Sequence, residues 1–249
     1  MRKLLRYLLT LAAILALWQL AAGEVLPPPL TALQAFAAAL AGQAFWGHFA
    51  ASARRVLAAL VLSFALAFPL GLAMGAKPRL DAWLSPFVVL TYPIPKIVLL
   101  PVLLLLLGIG DSSKIGMIAL ILGYQILVTT RDGARAVHPR YVDSVASLGA
   151  GQWRILAEVY LPAALPHAFT AMRLGTGVAV AVLFFVESFA TREGLGYLIM
   201  DAWGSFDYPR MFTGIIGMSA LGVLLYELAN VLERHFCRWR SRTARTRTS

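Results

Sequence analysis

Six apolar runs of near bilayer-crossing length fill most of the 249-residue chain: Leu4–Ala22, Val56–Met74, Trp83–Leu107, Ile115–Thr130, Phe169–Ser188 and Met211–Leu232. A hydrocarbon core of ~30 Å takes about 20 apolar residues as one helix. No water serves the peptide groups inside it, so each spanning segment must satisfy its own hydrogen bonds. The expectation is an all-α membrane protein, a single domain over residues 1–249 with six transmembrane helices. With 59% hydrophobic and only 14% charged residues, against the ~25% charged of a soluble domain, the chain could not cover its own surface in water.

Orientation follows from the cations. Fifteen of the 22 Lys and Arg residues flank the runs on the side of the N-terminus, five lie on the other side, and Lys96 and Arg173 fall within runs. Cytoplasmic flanks are enriched in Lys and Arg, so both termini are expected inside. Arg54 and Arg55, at the far end of the second run, go against the trend. Arg2 and Lys3 with Ala21-Ala22-Gly23 also allow a signal peptide, but the run is near full spanning length and the site is a loose match, so it is taken as uncleaved. Leu26-Pro27-Pro28-Pro29 reads as a stiff outer turn. Leu30, Leu33, Phe36 and Leu40 share a face of a surface helix over 30–41. The net charge of +10 does not indicate nucleic acid, because no aromatic residues interleave with the cations. The basic tail 238–249 suits the anionic lipid of an inner leaflet.

Within the third run, Pro93, Pro95 and Pro101 remove backbone donors and are expected to kink the helix. Such a segment suits a translocation pathway, where cavity water or protein serves the freed carbonyls. Lys96 and Glu187 are ionisable groups inside apolar runs, which are functional by default. Lys96 would favour an anion, or else snorkel towards the interface. Glu187 would pair with Lys96 or with outer arginines, or cap a helix contact.

The inner segment 131–166 is the most organised loop. Tyr141 to Leu148 has helical composition, with Asp143 in the favourable first turn. Gly149 and Gly151 permit a turn. Gln152 to Tyr160 reads as a second helix that stops before Leu161-Pro162, with Pro166 barring extension. Leu148, Trp153, Ile155 and Leu156 would suit a groove on a partner, with Trp153 as anchor.

The spacing of this loop resembles the EAA loop of ABC-importer permeases: Glu-Ala-Ala, three residues, Gly, nine residues, Ile, any residue, Leu-Pro. Asp143, Ser144 and Val145 stand in the first three places, then Gly149, Val159, Leu161 and Pro162. Three further segments resemble the permeases that import nitrate, sulfonates, taurine and related molecules. They are Pro93-Ile94-Pro95 with Leu100-Pro101 and Gly108 to Lys114; Leu161 to Pro166; and Glu187 with Gly194-Leu195-Gly196-Tyr197.

The resemblance implies a type I importer permease (MetI-like) fold in a bacterial inner membrane. It implies two ATPase subunits docked on the loop, a second copy of this chain, and a periplasmic or lipoprotein solute-binding protein. The implied cargo is nitrate, a sulfonate, taurine or a similar anion, or alternatively a vitamin or pyrimidine precursor.

ATP hydrolysis is expected from a partner, since no Gly-x-x-x-x-Gly-Lys-Ser/Thr phosphate loop occurs. No cofactor, metal site or catalytic residue is expected either. His48, His138, His167 and His235 are scattered, Cys237 is single, and no nucleophile elbow surrounds a serine. An ion-coupled secondary transporter is the rival class, though the inverted repeats it would favour are not seen.

Overall fold

The computed structural model describes residues 2–23, 25–189 and 191–239. Every regular element among them is helical: α1 (Arg2–Ala21), α2 (Pro29–Leu40), α3 (Gln43–Ala76), α4 (Pro78–Thr91), a 3₁₀ turn (Lys96–Leu99), α5 (Leu100–Leu107), α6 (Asp111–Arg135), α7 (Pro139–Ala146), α8 (Gln152–Ile155), a π turn (Leu156–Tyr160), α9 (Leu161–Glu187), α10 (Leu195–Gly204) and α11 (Tyr208–Phe236). The cations Arg240, Arg242, Arg245 and Arg247 of the tail lie outside the described residues.

Among the described residues, four helical stretches are long and apolar enough to cross a bilayer: Gln43–Ala76, Asp111–Arg135, Gln152–Glu187 and Tyr208–Phe236. A fifth crossing exists if Pro78–Thr91 and Lys96–Leu107 count as one broken span. The chain is therefore a multi-pass membrane protein. A sixth crossing would have to be α1, which is 20 residues long.

The expected kink in the third run is a full corner, because its two helices meet at 88°. Pro93 and Pro95 sit in the four residues of the break, where neither can donate to a preceding carbonyl. Pro101 does not kink the chain. It occupies the first turn of α5, where a missing N–H is harmless.

The chain forms two compact units. One comprises residues 54–186 and 222 onward, with α6 at its centre. Met117, Ile118, Leu122 and Ile126 are almost wholly buried. Between apolar helices in lipid, close packing replaces the hydrophobic effect as the driving force, and small residues let backbones approach. Gly71 and Gly75 of α3 do this against α6. A Cβ at either would come within 2.5 Å of the carbonyl oxygen of Leu127 or Arg131 respectively. Gly175 of α9 sits against Leu122, and Gly133 of α6 against His167. Phe64 stacks on Phe68 with centroids 5.0 Å apart, and lies 5.4 Å from Phe169.

The other unit comprises residues up to 53 together with 187–221. Trp18 of α1 stacks on Phe212 at 5.3 Å and donates its indole N–H to the Pro27 carbonyl. That bond holds the proline-rich turn against α1. Phe36 of α2 meets Phe45 edge-on at 5.7 Å, and Phe45 in turn fills the space left by Gly217.

Candidate functional site: the connecting loop, the broken span and a buried carboxyl

The loop begins where α6 ends. His138 caps α7 by accepting the Arg140 N–H on its ring nitrogen, and Pro139 opens the helix. This start is two residues earlier than composition suggests. Asp143 is consequently not in the first turn, which holds no acidic residue, and lies exposed in mid-helix. Ser144 donates back to the Arg140 carbonyl at 2.7 Å, and Val145 is half-buried. Gly149 turns the chain with φ +80°, a conformation that strains any residue bearing a Cβ. Gly151 is extended at φ −73°, ψ 168°, so the turn rests on Gly149 alone.

Leu148 is 85% and Trp153 81% exposed, so both apolar side chains project from the loop. The Lys77 ammonium is 5.9 Å from the Trp153 ring centroid. Beside Trp153 runs a groove of about 870 Å³, lined by Lys77, Arg79, Trp83, Gln152 and Tyr160 among others. A second, of about 590 Å³, lies against α7 and is lined by Tyr141, Ser144, Val159, Pro162 and His167 among others.

The arm after Gly149 departs from expectation. Leu161 and Pro162 do not end a helix, and Pro166 does not block one. The helical path is continuous from Gln152 to Glu187, 36 residues. At Pro162 the reason is the π turn Leu156–Tyr160, while Pro166 lies inside α9 itself. In an α-helix the Pro162 ring would collide with the carbonyl four residues earlier, at Glu158. The wider π turn contains that carbonyl and makes room. Any displacement of Trp153 therefore acts on one end of a membrane-crossing rod.

Charged groups that sequence reasoning passed over brace the surroundings of this rod. Asp81, 8% exposed in the first turn of α4, is held by Arg131 at 2.5 Å and by Arg135 at 2.9 Å. Both arginines lie on the last turns of α6, just before the loop. Arg54 and Arg55 grip Asp111, at 2.6 and 2.7 Å. Their position against the charge trend thus has a local cause: Asp111 opens α6 and needs a partner. Lys114, only 2% exposed, donates to the Gly110 carbonyl. Arg173 pairs with Glu233 at 3.2 Å. The available signal was the opposite charge spaced one helix away, and it is visible only once the helix pairing is known.

Lys96 opens the 3₁₀ turn at the corner between α4 and α5, where Pro93 and Pro95 stand exposed. Its ammonium is 3.2 Å from the Thr91 carbonyl, 3.1 Å from that of Tyr92 and 3.5 Å from that of Ile94. It also lies 4.0 Å from the Tyr124 ring centroid. Glu187 is fully buried. Its carboxyl oxygens accept from the Ser52 hydroxyl at 2.7 and 2.9 Å and from the Gly196 N–H at 2.9 Å. The Ser52 oxygen accepts the Leu195 N–H at 2.7 Å, and the His48 ring accepts that of Gly194. Gly194, at φ +114°, leaves just enough space: a Cβ there would lie 2.4 Å from the Glu187 carboxyl carbon. Glu187 is thus held by a serine hydroxyl and a backbone amide, contacts that sequence did not indicate. Among the described residues no group of three His, Cys, Asp or Glu could hold a metal ion.

The profile described as binding-protein-dependent transport system inner membrane component matches residues 67–237. The taurine transport system permease protein of Escherichia coli is 31% identical, the match covering 92% of this chain and 88% of that protein. The putative aliphatic sulfonates transport permease protein of Bacillus subtilis is 30% identical over 94% of this chain and 87% of its own. The riboflavin transport system permease protein of Chloroflexus aurantiacus is 30% identical over 92% and 88%. The chain belongs to the family of binding-protein-dependent transport system inner membrane components. It is a permease subunit of an ABC-type importer, which removes the grounds for an ion-coupled secondary transporter.

Proposed function

We propose that this permease forms, with a second copy of itself, the route by which a small organic anion such as a sulfonate enters the cytoplasm, driven by two ATPase subunits docked on residues 131–166. Leu148 and Trp153 insert into the ATPase surface, and the Gly149 turn fixes the angle between α7 and α8. Asp143, Ser144, Val145, Val159, Leu161 and Pro162 give the loop its shape. Six helices cross the membrane, α1 being the first, with both termini inside. A solute-binding protein delivers the cargo on the other side. The broken span at Pro93 and Pro95 borders the pathway, and Glu187 holds the segment after α9 in place.

One observation carries this reading. An exposed tryptophan stands in the first turn of a helical rod that runs unbroken from the loop to Glu187. At 1.5 Å per residue such a rod is about 54 Å long, enough to carry motion at Trp153 across a bilayer. The choice of an anion leans on the taurine and aliphatic sulfonates relatives. The riboflavin relative keeps a vitamin as the second candidate.

Two measurements test the proposal. A cysteine in place of Trp153, in a Cys237→Ser background, should crosslink to a co-expressed ATPase subunit, and Trp153→Ala should weaken their association about 30-fold or more, as loss of a buried aromatic anchor does. Uptake of labelled alkanesulfonate by vesicles holding the full complex should exceed that of riboflavin. Intact ATPase association in the Trp153→Ala chain would overturn the docking role, and riboflavin uptake without sulfonate uptake would overturn the anion.

A further inference from the structure

The corner between α4 and α5 poses a problem that Lys96 solves. The last carbonyls of any helix lack intrahelical partners, and here the chain beyond offers few donors. Pro93 and Pro95 have no N–H. The Ile94 N–H reaches back to the Thr91 carbonyl at 3.2 Å, and the Val98 N–H serves Pro95. What remains at the end of α4 is a cluster of carbonyl oxygens at the negative end of a helix dipole, where a cation is favoured. The Lys96 ammonium sits among three of them, with two bonds near 3.1–3.2 Å and a longer contact of 3.5 Å. The Tyr124 ring closes the fourth side at 4.0 Å, a distance at which a cation is drawn to the π face. The Tyr124 hydroxyl bonds the Thr91 hydroxyl, so the ring is itself tied to the end of α4.

We propose that Lys96 is a positioning residue: a tethered ammonium filling a carbonyl cage that fixes the 88° corner, rather than a group that binds the transported solute. An ammonium has three donors and no acceptor. All three are directed at main-chain oxygens, and its face is covered by an aromatic ring, so no donor remains for an anion. A compact point charge suits such a cage, and a planar guanidinium does not. The cage joins α4, the corner and α6 at one point.

The transport arm of the test rests on the permease reading, and the stability arm does not. In the full complex, Lys96→Cys in a Cys237→Ser background should lower the melting temperature of the purified permease. It should reduce kcat for uptake roughly tenfold or more, the weight of one hydrogen bond to a charged group, while KM for the solute stays unchanged. Alkylation with 2-bromoethylamine, which rebuilds an ammonium of nearly the same reach, should restore both. The uncharged propyl reagent should restore neither.

A raised KM with an unchanged melting temperature would overturn the proposal, since the ammonium would then face the solute. Equal rescue by both reagents would overturn it too, because only bulk would be needed. Should the Lys96→Cys chain fail to insert, Tyr124→Phe and Tyr124→Leu decide the matter. Both lose the hydroxyl, but only the phenylalanine keeps a ring over the ammonium, so Tyr124→Leu must melt lower. Equal melting temperatures would overturn the cage.

Discussion

Replacing Ser52 by alanine removes one hydroxyl and unmakes two contacts at once. Its proton serves the fully buried Glu187 carboxyl, and its oxygen accepts the Leu195 N–H at 2.7 Å. No water reaches either group, given that Ser52 and Leu195 are also fully buried. Leaving the Leu195 N–H without its acceptor costs about 1–3 kcal/mol, and taking one bond from the buried Glu187 carboxyl a similar amount, so the two together predict a loss of ~2–6 kcal/mol, centred near 4. The two contributions can be separated. In a Glu187→Met background the carboxyl is already gone, methionine fills the space adaptably, and Ser52→Ala should cost only the ~1–3 kcal/mol of the Leu195 amide. The coupling energy between the positions is then about 2 kcal/mol. The assay is reversible unfolding in mixed micelles by SDS titration, followed by helicity, on all four corners of the cycle. Independent sites add within ~0.5 kcal/mol. A coupling below that value would refute the argument that Ser52 and Glu187 form one clasp on the segment after α9.

Three further outcomes are expected. Gly149→Val should preserve insertion and basal ATP hydrolysis but uncouple them from uptake in vesicles, because a β-branched residue at φ +80° is strained by ~1–2 kcal/mol and the turn will reshape; normal uptake would show that the turn angle is not used. Cysteines placed at Ser112 and Ser147 in a Cys237→Ser background should label from opposite sides of the membrane, and labelling of both by an impermeant reagent in intact cells would reject the orientation drawn from the charge asymmetry. Asp81→Asn should destabilise the chain by about 3 kcal/mol, the low end for breaking a buried pair, since Arg131 is 12% exposed but Arg135 56%; in SDS unfolding, the double change Asp81→Leu with Arg131→Leu should lie nearer the parent than Asp81→Asn does.

The helices were legible because length and apolarity are all a bilayer asks of a spanning segment. Their ends were less so. The α7 start at Pro139 could have been read from His138 and proline at the first helical position, a recognised opening signal. Composition drew attention instead to Tyr141. The continuity from Gln152 through Pro162 and Pro166 was not legible, because proline as a helix stop is a rule about ideal α geometry. At Pro162 a π turn suspends it, and nothing in Leu156–Tyr160 announces one. Pro93 and Pro95 mark a break, yet whether two prolines bend a helix by 30° or by 88° depends on what meets the freed carbonyls. Here it is the side chain of the next residue, Lys96, which folds back on them.

That last point bears on how intramembrane charges are read. An ionisable residue in an apolar run invites a functional interpretation because its desolvation must be compensated. The compensation can come from substrate, water, a countercharge or the main chain, and sequence does not distinguish them. In this permease several kinds of partner coexist within the runs and at their ends. Asp81 and Asp111 each face two arginines, Arg173 faces Glu233, Glu187 takes a hydroxyl and an amide N–H, and Lys96 takes carbonyl oxygens. Each tie joins segments that are separated in sequence or bent against each other, which is where a moving permease needs its helices fixed to one another. The charge count from which an orientation is expected is affected as well. Arg54 and Arg55 weigh against the trend only if counted as bare cations, and Asp111 neutralises part of that weight. Paired arginines such as these hold helices together, and the asymmetry expected to set orientation is carried by the cations beyond them.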